Sequence, residues 1–415
     1  GDGMKQDGLI RQEYEINCIA PLHTGSGEKL MSFEYLYDRK GRVVHFLDAS
    51  KWVAFLAQKG LMDAFAAYLE QSGQNAKNAR ASKNLWDWLV GQRVNETELR
   101  ALAKRTAGCV TLTAKGERNK LNDIVCQMVL ADGNPYVPGS TIKGALRSGI
   151  LYDAVQRTPE RFRGVWRKIQ AEKGTLNERQ KNFQRLILSL EKEILHTLSL
   201  PGVRSEHVLS STLRGLRVSD AVCTSPAATV VLQKVDATTK AKRDGTHVSE
   251  IPLFRECIEA GTRLRFSVTA DLSMLKTAGI SSLDEVFHML RSYTQDGLRR
   301  QEEAFRGIDR NYYQPLFDEA RTADALLGGG TGFLTKTLIY ALAAQDDEAR
   351  AFIADYLDAA FMKRNKVTKK FEPAHHHKQH DHKLAPRTIK RAVLGRDDWL
   401  LGLCTMRRTD DAAAF

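Results

Sequence analysis

Alternating apolar and polar residues predict a strand at 12–20 and a second strand at 43–49. Apolar residues then recur at helical spacing from 51 to 70, which predicts a helix. Asp48 or Ser50 can cap the N terminus of that helix. The first 70 residues are therefore expected to contain two strands followed by a helix.

The rest of the chain mixes both patterns. Further strands are predicted at 109–114, 124–130, 216–223, 228–237 and 262–271. Helices are predicted at 82–92, from near Ser140, and at 155–197, 283–304, 315–327 and 334–345. Because strands and helices do not alternate regularly, the order predicts an α+β fold and not a doubly wound parallel sheet. Two ferredoxin-like (RRM-like) modules with helical insertions account for this order and length.

A chain of 415 residues is long for a single simple core, so two domains are expected. The helical stretch 155–197, rich in Arg, Lys, Glu and Gln, is a candidate insertion or boundary. Counting from Met4, we expect an N-terminal domain at 4–200 that includes this insertion. The C-terminal domain is expected at 201–415 and to end in a basic tail.

The charge is positive and unevenly distributed. Lys and Arg number 62 against 50 Asp and Glu, a net charge of +12. Residues 363–408 alone contain thirteen Lys or Arg against four Asp or Glu, together with five histidines. Such a positive field attracts a polyanion, although a solvated basic tail is the alternative. Aromatic residues are 8% of the chain, which favours contacts to phosphates over stacking on many bases.

The sequence predicts neither a cofactor nor a metal site. The six cysteines are scattered and form no C-x-x-C pair, so a disulfide framework or zinc site is not expected. Five histidines lie within 375–382, but neighbouring side chains of an extended loop point in different directions. No uncharged apolar run has the length of a membrane span, and no apolar signal region follows Met4. We therefore expect a cytoplasmic protein without membrane contacts.

Three glycine-containing segments are candidates for phosphate contact, because glycine allows a ligand to approach the backbone closely. They match neither the P-loop nor the dinucleotide-binding pattern, and tight turns are the simpler alternative. The first segment supplies Gly25, Ser26 and Gly27, and the third supplies Gly329, Gly330, Gly332 and Lys336.

The second glycine segment carries the most chemistry. A turn at 138–139 precedes a helix that Ser140 or Thr141 can cap. Lys143 and Arg147 lie four residues apart and therefore share one face of that helix. The segment predicts an anion cradle with two cations beside it.

The second segment, VPGSTIKGALR, resembles the hallmark of the RAMP superfamily, the repeat-associated proteins of CRISPR effector complexes. PLHTGSGE and LGGGTGFLTKT are similar to the opening and the C-terminal glycine loop of the same group. LAPRTIKRA, LLGLCTM, GLRVSDA and EAGTRLRFSV resemble the family of the fifth Csm subunit of type III-A systems. These matches extend from about residue 14 to residue 406.

The resemblance implies an RRM-like fold and a non-catalytic subunit at the end of a helical backbone. Such a subunit would lie near the 3′ part of the CRISPR RNA and contact the third Csm subunit, the neighbouring backbone protein. It would support assembly and CRISPR RNA maturation, with trimming by host nucleases. The implied RNA contacts are the residues of the three glycine segments named above, together with Arg387, Lys390 and Arg391.

The alternative is an endoribonuclease of the RAMP type that processes repeat RNA. In related enzymes of the superfamily a histidine near the first glycine segment can act as a general base, and His23 occupies that region. Lys29, Lys143 or Arg147 would then supply the second acid or cation. A simpler possibility is that His23 only packs or forms hydrogen bonds within the turn.

Overall fold

The computed structural model describes residues 8–74, 83–110, 112–113, 116–117, 121–172, 174, 176–331 and 338–412. Its strands are β1 Leu9–Cys18, β2 Gly25–Leu30, β3 Tyr35–Asp38, β4 Val43–Leu47, β5 Ala103–Cys109, β6 Leu112–Thr113, β7 Gly116–Glu117, β8 Ile124–Gln127, β9 Tyr136–Val137, β10 Leu216–Val218, β11 Ala221–Cys223, β12 Thr229–Thr238, β13 Val248–Ile258, β14 Arg263–Asp271, β15 Ala325–Leu326, β16 Met362–Arg364, β17 Phe371–Pro373, β18 Thr388–Leu394, β19 Asp397–Leu400 and β20 Leu403–Arg408.

The helices lie between these strands. They are α1 Ala49–Lys59, α2 Met62–Gln74, α3 Leu85–Gly91, α4 Glu96–Arg100, α5 Gly139–Arg157, α6 Pro159–Ala171, α7 Leu176–Leu195, α8 Leu272–Lys276, α9 Leu283–Phe305, α10 Arg310–Ala320, α11 Ile339–Leu342, α12 Asp346–Ala360, α13 His377–His380 and α14 Thr409–Ala412. Two short 3₁₀ turns, Val208–Ser210 and Thr212–Gly215, precede β10.

The first sheet has β1 between β14 and β20, and both pairings are antiparallel. Its remaining strands are β9, β10, β11 and β15. Helices α5 and α9 cover this sheet, where Tyr14 of β1 stacks on Phe287 of α9 with ring centroids 4.1 Å apart. The two helices pack closely at Gly149, where a Cβ would lie 2.7 Å from the Cα of Leu290. A small residue on α5 therefore sets the distance between the helices.

The second sheet runs in the order β2-β8-β13-β12-β5-β4-β3, with β18 also paired to β12 and β19 paired to β18. Alternation along β3 gives this sheet a core on each face. Tyr35 and Tyr37 belong to one buried cluster with Phe254, whereas Leu36 belongs to another with Trp52 of α1. The first helices therefore cover one face of the sheet.

The expected α+β fold of ferredoxin-like modules with helical insertions is confirmed. Most strand pairs are antiparallel, and only β5 with β12 and β8 with β13 are parallel among the paired strands of the two large sheets that the structure describes. Each large sheet takes strands from both sides of residue 200. The division into 4–200 and 201–415 therefore does not separate the sheets, and as a statement about folding units it stays a prediction.

Several predicted boundaries are wrong for physical reasons. The helix expected over 51–70 is two helices, because Gly60 has a left-handed backbone (φ 66°) that ends α1. The helix expected over 315–327 is replaced by α10, which ends at Ala320, and by β15. The helix expected over 334–345 includes residues outside the described part, and only α11 is seen there.

The strand β13 is missing from the expected elements because its pattern contains charged residues at interior positions. Glu256 has no exposed side-chain area, although a carboxylate normally signals a surface position. The basic stretch 363–408 is also corrected: it is not a tail, since it forms β16 to β20 and α13.

Gly149→Ala should lower the free energy of unfolding by about 1–3 kcal/mol, because the new methyl group would collide with the backbone of α9. Gly144→Ala is the matched control on the same helix, since no atom lies within 4 Å of its Cβ position. The control should gain about 0.5–1 kcal/mol from helix propensity. Urea denaturation measures both, and equal stability of the two variants would contradict the close packing.

Candidate nucleic-acid interface

The three glycine segments meet around one cavity of about 470 Å³, here called the glycine cleft. The first and second segments contribute Thr24, Gly25, Ser140, Thr141 and Gly144, and the third contributes Gly328, Gly329 and Thr331. Side chains of α9, including Tyr293, form a further wall. Segments that are far apart in the sequence therefore present small and hydroxyl-bearing residues to a common space.

His23 lies beneath the glycine cleft and holds two of these segments together. Its Nδ1 donates a hydrogen bond to the carbonyl oxygen of Glu256, at 2.6 Å. Its own carbonyl oxygen accepts a hydrogen bond from the amide of Gly329, at 2.7 Å. A Cβ at Gly328 would overlap that same carbonyl, and the φ of Gly328 is +87°. Gly328 is therefore required by a close backbone approach within the protein.

The carboxylate of Glu256 is the centre of a buried polar network. Arg105 of β5 forms an ion pair with it, and the hydroxyl of Thr229 donates to it at 2.7 Å. The backbone amide of Gln127 also donates to this carboxylate, at 2.9 Å. The side-chain oxygen of Gln127 in turn accepts from the amide of Thr24, at 2.7 Å. The network thus ties the first glycine segment to β5, β8, β12 and β13.

The geometry around His23 does not favour the endoribonuclease alternative. His23 is 2% exposed and therefore enclosed, and burial lowers its pKa. Of the cations suggested as its partner, Lys29 forms an ion pair with Asp123 at 3.3 Å. Lys143 donates to two backbone carbonyls. The packing interpretation of His23 is therefore the better supported one.

The predicted capping of the second segment by Ser140 or Thr141 is wrong. Helix α5 begins at Gly139, with Pro138 in the N-cap position and without a side-chain cap from its own segment. A carboxylate oxygen of Asp220 instead accepts from the amide of Gly139, at 2.8 Å. The side chains of Ser140 and Thr141 are consequently left on the wall of the glycine cleft.

The two cations of α5 that were predicted to contact phosphate, Lys143 and Arg147, do not line the glycine cleft. The ammonium of Lys143 donates to the carbonyl oxygens of Leu213 and Leu216, at 2.8 and 2.7 Å. This leaves one N–H for any further partner. Arg147 is exposed and forms no ion pair with a residue that the structure describes. The expected cradle of hydroxyls and cations is therefore split over different surfaces of the helix.

A second cavity, of about 990 Å³ and here called the basic cleft, adjoins the first. Thr331 lines both cavities, so they lie side by side. Six cationic side chains line the basic cleft, against the single carboxylate of Asp236: Lys234, Lys240, Lys242, Arg243, Arg387 and Lys390. This excess of positive charge in a concave surface suits a polyanion.

The three cations predicted from the C-terminal stretch have different positions. Lys390 lines the basic cleft and pairs with Asp236 at 2.9 Å. Arg387 also lines it, and pairs with Asp381 at 2.8 Å. Arg391 is 6% exposed and forms an ion pair with Asp398. Alternation along β18 places it on the face opposite to Lys390, so the structure gives no support to its predicted contact with RNA, which stays a prediction.

The sequence-based prediction missed four cations of the basic cleft. Lys234 lies on β12, and Lys240, Lys242 and Arg243 lie in the turn between β12 and β13. The available signal was the sequence KAKRDG directly after a convincing strand. Three cations within four residues of a turn project from the end of a sheet, where a long ligand can reach them.

The remaining predicted residues lie elsewhere. Ser26 and Gly27 are exposed on β2, and Ser26 lines a separate cavity of about 590 Å³. Gly330 lies over the guanidinium of Arg255. Gly332 and Lys336 lie outside the described residues.

Within the described ranges, no group of three or more His, Cys, Asp or Glu residues is arranged to hold a metal ion. In the histidine cluster, His377 instead pairs with Asp381 at 2.7 Å. None of the helices that the structure describes has the length and apolar character needed to span a membrane.

Glu256→Ala should lower the free energy of unfolding by about 3–5 kcal/mol, because it leaves the largely buried Arg105 without its counter-charge. Chemical denaturation at pH 7 measures the loss. Glu256→Ala combined with Arg105→Met should cost less than the sum of the two single changes. Additive losses would show that the ion pair does not couple the strands.

The lowered pKa of His23 predicts a pH effect on stability. The unfolded chain binds a proton near the ordinary histidine pKa of about 6.5, whereas the folded His23 resists it. Stability from this group is thus complete above that pH and is lost as the pH falls through the lowered pKa of the folded state. His23→Asn should flatten this part of the stability profile. An unchanged profile in denaturation between pH 7 and pH 5 would contradict the assignment.

The sequence of this chain is similar to a known family and to named proteins. The family model described as RAMP superfamily matches residues 15–335. A Mycobacterium tuberculosis protein named CRISPR system Cms protein Csm5 is 26% identical over 412 residues, which cover 95% of this chain and 96% of that protein. A Streptococcus thermophilus protein of the same name is 25% identical over 328 residues, covering 77% and 78%.

Two solved structures share the fold. A chain in a cryo-EM structure of a Csm–crRNA–target RNA ternary complex of a type III-A CRISPR-Cas system has a TM-score of 0.57 at 16% identity. The alignment covers 96% of this chain and all of that chain. A crystal structure of T. onnurineus Csm5 has a TM-score of 0.53 at 18% identity, with 94% and 99% coverage. The expected resemblance is confirmed, and because the family model spans most of its length, the chain belongs to the RAMP superfamily.

Proposed function

We propose that this chain is an RNA-binding structural subunit of a type III-A effector complex, in which it holds CRISPR RNA and does not cleave it. The relatives that align over most of their length are named as the Csm5 protein of such systems. A similar fold occurs in a chain of a complex that contains crRNA and target RNA. The proposed role is antiviral defence through assembly and maturation of that complex.

One observation carries the proposal: the basic cleft lies beside the glycine cleft, and Thr331 lines both. A single strand could lay its phosphates along the cations of the β12–β13 turn while its backbone passes the small residues of the glycine cleft. Contacts of this kind hold a strand without reading its sequence. They suit a subunit whose RNA carries a variable guide.

The finer parts of the proposal concern neighbours. We place the chain at the 3′-end side of the CRISPR RNA, next to the third Csm subunit, and expect host nucleases to trim the RNA there. This assignment rests on the resemblance of the C-terminal motifs and not on a contact surface. The segments 4–200 and 201–415 are proposed as the folding units of the subunit.

The triple change Lys240→Gln, Lys242→Gln and Arg243→Gln should weaken binding of single-stranded repeat RNA, on the order of tenfold or more at low salt. Each lost phosphate contact should reduce the magnitude of the slope of log K against log salt by about 0.7. Fluorescence anisotropy at several salt concentrations measures both quantities.

The control for this experiment removes the same charge from another turn of the same sheet. Arg39→Gln, Lys40→Gln and Arg42→Gln change three exposed cations between β3 and β4. The control should bind RNA nearly as the wild type does. If both triple variants lose affinity equally, binding reflects net charge alone and the basic cleft is not the interface.

Incubation of the protein with repeat RNA should leave the RNA intact, with and without EDTA, since His23 is enclosed and two of its three candidate partners, Lys29 and Lys143, are engaged within the protein. Denaturing gel electrophoresis gives the readout. Clean cleavage that His23→Ala abolishes would establish the endoribonuclease alternative instead.

A further inference from the structure

Arg255 of β13 occupies an unusual position beneath the third glycine segment. A Cβ at Gly330 would lie 3.2 Å from the Cζ of Arg255, and the φ of Gly330 is +81°, which favours glycine. The Nε of Arg255 is buried and has no hydrogen-bond partner. No carboxylate among the described residues forms an ion pair with this guanidinium. A partly buried cation without a paired carboxylate is costly for the fold.

Two lysines extend this positive charge into the basic cleft. Lys234 and Asp236 are two residues apart on β12, and Lys390 of β18 pairs across from Asp236. The ammonium of Lys390 lies 2.9 Å from the Asp236 carboxylate, and that of Lys234 lies 4.0 Å from it. The side chains of the two lysines are only 18% and 12% exposed. Three cations thus share one carboxylate in a partly buried space.

The surroundings of Lys234 lower its pKa. The pKa of Lys234 is lowered to about 8, chiefly by burial and also by Lys390 and Arg255, against the opposing effect of Asp236. Burial also lowers the pKa of Arg255. Like charges held together against solvation are typical of an anion-binding site, and the single carboxylate of Asp236 cannot neutralise all three cations.

We propose that Arg255, Lys234 and Lys390 form a binding site for one phosphate of the RNA strand. Lys234 and Lys390 line the basic cleft together with Thr331, and Arg255 lies under Gly330, the residue before Thr331. The arginine supplies a planar fork of donors that fits two phosphate oxygens, and the lysines supply compact charges beside it. This assignment rests on the proposed RNA-binding function and names the place where the strand is held most firmly.

Whether removal of a cation raises or lowers the stability of the unliganded protein distinguishes this site from a structural ion cluster. Removing one cation from an excess of like charge relieves repulsion, so the unliganded protein should become more stable. Removing a cation that serves as a structural counter-ion should do the opposite. A functional site that destabilises the fold is therefore recognised by a gain in stability when one of its cations is removed, and a structural cluster does not show this gain.

The test uses Lys234→Met and Arg255→Gln in the full chain, with Lys40→Met as the control. Lys40 is exposed in the turn before β4, and β3 lies three strands from β12 in the sheet order. In buffer without multivalent anions at pH 7, both site variants should melt about 2 °C or more above the wild type. Inorganic phosphate should raise the melting temperature of the wild type and the control more than that of the site variants.

The same proteins are then titrated with single-stranded RNA at several salt concentrations. Each site variant should bind on the order of tenfold more weakly, as expected for loss of a hydrogen bond to a charged group. The slope of log K against log salt should fall in magnitude by about 0.7. The control should keep the affinity and the slope of the wild type.

Each contrary result has a defined meaning. Lower melting temperatures of both site variants, with an equal response of all proteins to phosphate, would show a structural cluster and overturn the site. Unchanged RNA affinity and slope in the site variants would also overturn it, even if free phosphate still protects, while RNA binding by the rest of the cleft would stand. Failure of the wild type to bind RNA would overturn both this site and the proposed function.

Discussion

The burial of one carboxylate organises the surface on which the proposed function depends. Glu256 has no exposed side-chain area and is tolerated because Arg105, Thr229 and the amide of Gln127 all donate to it. A buried charge is acceptable only when it is paired and hydrogen-bonded in this way. Its backbone carbonyl then holds His23. The strands of the second sheet and the loops of the glycine cleft are therefore fixed by one group.

Glycine has a different role in this protein from the one its motifs first suggest. At Gly139 and Gly328 a Cβ would overlap backbone atoms of Val218 and His23, so these glycines permit contact between segments of the same chain. The result is a wall made of three segments that carries Ser140, Thr141 and Thr331. The glycines thus build the ligand surface, while the cations beside it come from other strands.

Positive charge is arranged in two ways. Several cations of the C-terminal stretch are satisfied within the fold, as in the pairs of Arg387 with Asp381 and Arg391 with Asp398. Others, such as Lys240, Lys242 and Arg243, stand at the cleft with no acidic residue of the lining other than Asp236. The net charge of the chain is therefore a poor guide to the interface, because pairing decides which cations remain available to a polyanion.

The sequence by itself determined the α+β class, most of the strands and helices, the RAMP resemblance and the identity of the three glycine segments. These features are local, since periodicity and turn residues are read over a few positions. Only the tertiary structure decided that Lys143 faces carbonyls, that Arg391 is buried and that Lys234 and Arg255 lie close enough for their charges to repel. Which face of a strand becomes buried, and which group satisfies which cation, depends on tertiary partners, which for Lys143 are 70 and 73 residues away. No local pattern encodes that choice.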